Sequence, residues 1–208
     1  AIAGFGRINN SGASDSYIES QHPGARLTTD QNPSLNTGYY THGTDGSPVF
    51  HSQSGWTEWS RIPNNDETTL PQMPEGYLAT ESYDNVFMSI DKAEDVIDVD
   101  KMVSWHAGAS RMDAGLQITE QLAEIAKEHK GEDRNLIIFV AASSLPYQNG
   151  IGVQSLRSEA AQAAATELKN NYNATIFGFG DFRPLTLQSG MSSEDQRTQF
   201  NETMTGIC

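Results

Sequence analysis

The stretch Trp105-His-Ala-Gly-Ala-Ser-Arg-Met-Asp-Ala-Gly-Leu116, read with Leu136-Ile-Ile-Phe-Val140 beyond it, decides the fold. A turn of small residues ends on a hydroxyl, Ser110. A periodic helix follows at once, and a strand comes next. Ser110 has two compatible readings. It is a helix N-cap with Asp113 three residues on, the Ser-x-x-Asp pattern of a capping box. Its hydroxyl also suits a hard cation held by oxygen ligands at the rim of a parallel sheet. Ser is among the best N-cap residues, which favours the cap.

Working outward, the spacing predicts a helix over 112–129. Leu116, Thr119, Leu122, Ile125, Ala126 and His129 form its inner stripe. Lys127, His129 and Lys130 suit the negative C-terminal end, and Gly131 is a stop. Leu136 to Ala141 is a continuous apolar run and reads as a strand buried on both faces. Gln154 to Tyr172 reads as an Ala-rich helix, with Leu156, Ala160, Ala163, Ala164 and Leu168 inward and Asn173 ending it. Ala174-Thr-Ile-Phe-Gly-Phe179 is the next strand.

Towards the N-terminus, Tyr83, Val86, Phe87, Ile90, Ala93, Val96 and Ile97 recur at three- and four-residue steps, which predicts another helix from about Ser82. Asp91, Asp95 and Asp98 lie on its opposite side, as a solvated face requires. Ala1-Ile-Ala-Gly-Phe-Gly-Arg-Ile8 reads as a strand already in progress, so upstream residues are expected to be missing. Residues 9–80 are rich in Asn, Ser, Thr, Gly and Pro and show no sustained period. Their aromatics, Tyr39, Tyr40, Phe50, Trp56, Trp59 and Tyr77, argue for an ordered insertion with short hairpins rather than disorder. Gly43-Thr-Asp-Gly46 is a plausible turn. Strand, insertion, two helices, strand, helix and strand thus follow in order, the alternation of a mostly parallel sheet with helices on both faces.

This arrangement resembles a von Willebrand factor type A domain from its second strand onward. Ala1-Ile-Ala-Gly-Phe-Gly6 is similar to that family's second strand. Gly108-Ala-Ser-Arg-Met-Asp-Ala-Gly-Leu116 is similar to its Gly-Gly-Thr turn and following helix. Asn135-Leu-Ile-Ile-Phe-Val140 and Ala174-Thr-Ile-Phe-Gly-Phe-Gly180 resemble its fourth and fifth strands. The long insertion, the Trp pair and the acidic balance resemble the variants in Gram-positive surface and pilus-tip proteins. The resemblance implies an α/β fold, a doubly wound mostly parallel sheet, as one domain over residues 1–208 interrupted by the insertion at 9–80. It also implies that the family's central first strand, between the second and fourth, is lacking, which would leave two strands without a ladder partner.

Adhesive members hold Mg²⁺ at the strand-end rim. Their ligands are an Asp-x-Ser-x-Ser turn, a Thr hydroxyl and an Asp after the fourth strand. Here the first is absent, the second is Ser110, and the third falls on Val140-Ala-Ala-Ser-Ser144, near Ala142. One hydroxyl cannot hold Mg²⁺, so no cofactor is expected of this chain. Mg²⁺ would need upstream residues to complete a site in which Ser110 is the remnant. The implied function is non-enzymatic adhesion or recognition at a bacterial cell surface or pilus. Binding would use Ser110 at the rim together with Trp56 and Trp59 in the insertion, and the ligand would be a protein or glycan. The alternative is an assembly subunit with a metal-free rim, contacting other subunits through the insertion. The polar composition of the insertion, which needs some hydrophobic payload, favours the plainer reading that Trp56 and Trp59 form its own small core.

The remaining composition fits. A net charge of −14 disfavours nucleic acid and anionic membranes as partners. A hydrophobic fraction of 37% with mean hydropathy −0.52 points to a modest core under much polar surface. No apolar run approaches the roughly 18 residues of a membrane span. The one cysteine, Cys208, excludes an internal disulfide. His22, His42, His51, His106 and His129 lack the short spacing of a zinc site. There is no Gly-x-Ser-x-Gly elbow, and Gly4-Phe-Gly6 is too short for a phosphate loop.

Overall fold

The computed structural model describes residues 1–4, 38–43, 48–52, 76–89, 112–131, 135–142, 151–180 and 192–208. Ser110, Trp56 and Trp59 lie outside these residues, as do Ile90, Ala93, Val96 and Ile97.

The described residues form a mixed α/β structure. Three short strands, β1 (Ala3–Gly4), β2 (Gly38–His42) and β3 (Pro48–Ser52), make an antiparallel sheet in that order. Ala3 pairs with Tyr39, and Tyr40 pairs with Phe50, so β2 and β3 form a hairpin across 43–47. Short hairpins were expected within residues 9–80, and this one lies there. A separate parallel pair follows, β4 (Leu136–Ala142) and β5 (Ala174–Gly180), in register from Leu136 opposite Ala174 to Ala142 opposite Gly180.

The helical turn α1 covers Tyr83–Val86 and stops at Phe87, whose backbone is extended. The helix expected onward from Ser82 is thus one turn long before the chain straightens. Val86 is buried, while Phe87 stacks back on Tyr83 with ring centroids 4.6 Å apart.

The helix α2 (Met112–Lys130) begins where a helix was expected and ends at Gly131, whose positive φ of 86° needs no Cβ. All of Met112 to Ile118 is buried, including Asp113 at 1% exposure, so α2's first two turns are enclosed rather than half-solvated. His129 is exposed, contrary to the expected inner stripe. Its ring lies on Tyr83, centroids 4.1 Å apart. The helix α3 (Ile151–Tyr172) ends at Asn173, in the left-handed region at φ 49°. Its buried face is Ala161, Ala164, Ala165 and Leu168, and Ala163 is exposed. The expected stripe was therefore rotated by part of a turn. The helix α4 (Ser193–Ile207) closes the described chain.

Two cores result. In the larger, α2, α3 and α4 pack on one face of the parallel pair. Ile138, Val140 and Ile176 meet Leu116, the α3 alanines, Leu168, Phe200, Met204 and Ile207. Burying a Leu or Ile of this kind stabilises by about 2 kcal/mol. The smaller core joins the hairpin sheet to α2 through Tyr39, Leu78, Val86, Ala114, Ile118 and Leu122. Tyr39 anchors it. Its ring stacks on His51 at 4.9 Å and meets Tyr77 edge-on at 5.5 Å, and its hydroxyl donates to Glu81 at 2.7 Å.

The expectation that β4 is buried on both faces is overturned. Its burial alternates, with Ile138 and Val140 inside and Ile137 and Phe139 exposed at 59% and 67%. A run of apolar residues cannot distinguish a strand covered on two faces from one covered on a single face.

Candidate binding groove

The helix α2 underlies both sheets and sets the position of the groove between them. Its C-terminal end meets the first residues of β4 and β5 in a shared cleft, so its N-terminal end lies towards the strand ends. Between β1 and β4 a groove of about 330 Å³ opens, walled by Ala1–Ala3 on one side and Leu136–Val140 on the other. Gly115, Leu116, Thr119, Leu122 and Ala123 of α2 make its floor. Thr119 donates its hydroxyl to Gly115 O at 2.8 Å, which leaves its methyl as the surface it offers. Gly115 inside a helix costs about 1 kcal/mol relative to Ala, and here it lowers the floor. Among the described residues, neither β1 nor β4 has a strand partner on the groove side.

The outer face of the parallel pair is a second surface. Ile137, Phe139, Phe177 and Phe179 project from it, each 47% exposed or more. The Phe139 ring lies 5.6 Å from Phe177 and 5.9 Å from Phe179, so the three form one aromatic patch. A patch of that kind is uncommon on a solvated surface unless something binds there.

At the strand-end rim, the described site residues are few. Asp113 lies in the first turn of α2, buried, at the end where ligands gather in open α/β sheets. β4 ends at Ala142, and the residues that follow it lie outside the described ones. Of the residues singled out from sequence, Ser110, Trp56 and Trp59 are outside the described residues, so the structure neither gathers nor separates them. His42 and His51 are engaged within the protein, with Phe87 O at 3.2 Å and Thr41 Oγ1 at 2.7 Å. Among the described residues no three His, Cys, Asp or Glu side chains are grouped as metal ligands.

One acidic site escaped the sequence reading. Glu120 of α2 has its carboxyl pushed up to about 7, by burial first and then by the charge of Glu167 on α3. Helical spacing alone gives no hint of it, because the partner lies on another helix. The aromatic patch did leave a signal, since Phe139, Phe177 and Phe179 share one side of the strand alternation. Comparison with protein families, with characterised proteins and with solved structures finds no match for this chain. Among the described residues no helix is long and apolar enough to cross a membrane.

Proposed function

We propose that this chain is a non-enzymatic adhesion or recognition module of a bacterial cell-surface or pilus-associated protein, built as a type A-like doubly wound sheet. The observation that carries this reading is the groove between β1 and β4, floored by α2. An extended segment laid there would join the three-stranded sheet to the parallel pair and give one continuous sheet. That central position is the one the type A resemblance assigns to a first strand. The loops at the strand ends, with Ser110 and the insertion's Trp56 and Trp59, then form the binding surface. In this reading Mg²⁺ is not a resident cofactor. The run Val140-Ala-Ala-Ser-Ser144 puts Ala142 or its neighbour where a carboxylate would be needed, and a lone hydroxyl leaves the octahedron unfilled.

The test is surface-plasmon binding of the full chain to a panel of immobilised extracellular-matrix proteins and glycans, with and without EDTA. Saturable binding is expected, unchanged by the chelator and weakened about tenfold or more by Trp56→Ala with Trp59→Ala. Absence of binding across the panel, or loss of binding in EDTA, overturns the reading in this form.

One observation favours an assembly subunit instead. The exposed patch of Ile137, Phe139, Phe177 and Phe179 is the kind of surface that subunit contacts cover. That reading gives a concentration-dependent multimer, with Trp56 and Trp59 shielded in it and their fluorescence shifted to the blue.

A further inference from the structure

A second cleft, of about 390 Å³, lies at the opposite end of the parallel pair from the rim, where α2 and α3 end and β4 and β5 begin. Among the described residues that line it there is no carboxylate. Asn135, Asn170, Asn171 and Asn173 edge it with amides, and Phe87, Ala123, Ala126 and Leu136 give it an apolar wall. Part of the amide set is already positioned. Asn173 Nδ2 donates to Asn135 Oδ1, and Asn171 Nδ2 to Glu167 Oε2, both at 2.6 Å. Tyr172 donates its hydroxyl to Glu124 at 2.9 Å. The two lysines there lie over aromatic rings. Lys130 Nζ lies 5.0 Å from the Tyr83 ring centroid and Lys127 Nζ 5.9 Å from that of Tyr172. Both sit at the negative end of α2. Two helix C-termini converge on this cleft, and their last carbonyls accept hydrogen bonds and disfavour negative charge.

We propose that this cleft binds an uncharged saccharide, with an N-acetylated hexosamine as the unit it matches best. Hydroxyls donate to the helix-end carbonyls and bond to the asparagine amides, which both donate and accept. The acetamido methyl lies on the wall of Ala126 and Leu136, and the sugar ring lies against Phe87. The volume is at the small end of ligand sites, about right for one or two sugar units. This is a second site, separate from the strand-end surface proposed above. It needs neither the rim nor the insertion, so the two can fail separately.

The experiment is calorimetric titration of the full chain with di-N-acetylchitobiose, beside maltose and N-acetylneuraminic acid. Chitobiose is expected to bind with a Kd of about 1 mM or tighter, and the other two at least about tenfold more weakly. Ala126→Phe, which fills the cleft, abolishes binding. Asn170→Ala, at an exposed position, weakens it about fivefold. Circular dichroism confirms that each variant keeps the wild-type fold. Trp56→Ala with Trp59→Ala leaves chitobiose binding unchanged, and this separates the cleft from the insertion. Pull-down on chitin and on insoluble peptidoglycan then identifies the natural source. No heat with chitobiose, equal binding of the acidic sugar, or wild-type affinity in both cleft variants overturns the proposal.

Discussion

Phe139 on β4 and Phe177 on β5 stand directly opposite each other in the parallel ladder, rings 5.6 Å apart, and both face solvent. Parallel pairs are usually covered on both faces. If this patch is a contact between subunits, Phe139→Ser with Phe177→Thr converts a multimer to a monomer in sedimentation velocity. The variant also unfolds within about 1 kcal/mol of wild type, because exposed side chains contribute little to the monomer. A wild type already monomeric at high concentration removes this role.

Glu120 sets a pH dependence whose sign is fixed. Its carboxyl is raised to about 7 from 4.5, by burial first and by Glu167 second. Below the lower value it is protonated whether folded or unfolded, and it carries no penalty. As pH rises through about 7 it ionises in the folded state, and that stability is lost. Glu120→Gln should therefore raise stability at pH 8 by about 1 kcal/mol, once solvent screening is discounted, and change little at pH 4. Urea unfolding of both proteins at the two pH values measures the difference. An equal effect at both would assign the gain to something other than charge.

Gln196, in the first turn of α4, is buried at 2% exposure, and its Nε2 has no hydrogen-bond partner among the described residues. An unsatisfied buried amide of this type costs about 1–3 kcal/mol. Gln196→Met keeps the length and removes the orphan donor. The variant should gain about 1 kcal/mol, a rise in Tm of about 3 °C for a chain of this size. A loss of stability in calorimetry would mean that the amide is engaged after all.

How much of this could be read from sequence depended on where each signal was local. The helices α2 and α3, their stops at Gly131 and Asn173, and both strands of the parallel pair are local periodicities with local terminators. They lie within a residue or three of the expected positions. The helix α4 was missed although its signal was present. Ser192 and Asp195 form a capping box, Ser192 Oγ accepting from Asp195 N at 3.1 Å and Asp195 Oδ2 from Ser192 N at 3.2 Å. Gln196, Phe200, Thr203, Met204 and Ile207 follow on one buried face. Of the helix expected from Ser82, the described residues show one turn, Tyr83–Val86, and the later positions Ile90, Ala93, Val96 and Ile97 lie outside them. The groove and the cleft were illegible, since both are made where separate elements meet. The fold class was legible only as far as α/β. A doubly wound sheet also needs helices on the outer face, where among the described residues Phe139 and Phe177 are exposed.

Two glycines of β5 give the sharpest check on how α4 is seated. A Cβ at Gly180 would run into the ring of Phe200, which is 3% exposed and walled in by the core. A Cβ at Gly178 would lie 2.6 Å from Cys208 Sγ and 2.8 Å from Met204 Cε. Those are the ends of side chains that can turn aside. Cys208 is exposed at the chain's last residue, and a methionine adapts easily. The two clashes look alike in distance but differ in what must move. Gly180→Ala should destabilise by about 1–3 kcal/mol through overpacking, and Gly178→Ala by less than about 1 kcal/mol. Pairing Gly180→Ala with Phe200→Leu relieves the first clash and should recover part of the loss. Urea midpoints of the three variants decide the matter. Equal costs for the two single variants would mean that Phe200 is not the residue holding α4 against the end of β5.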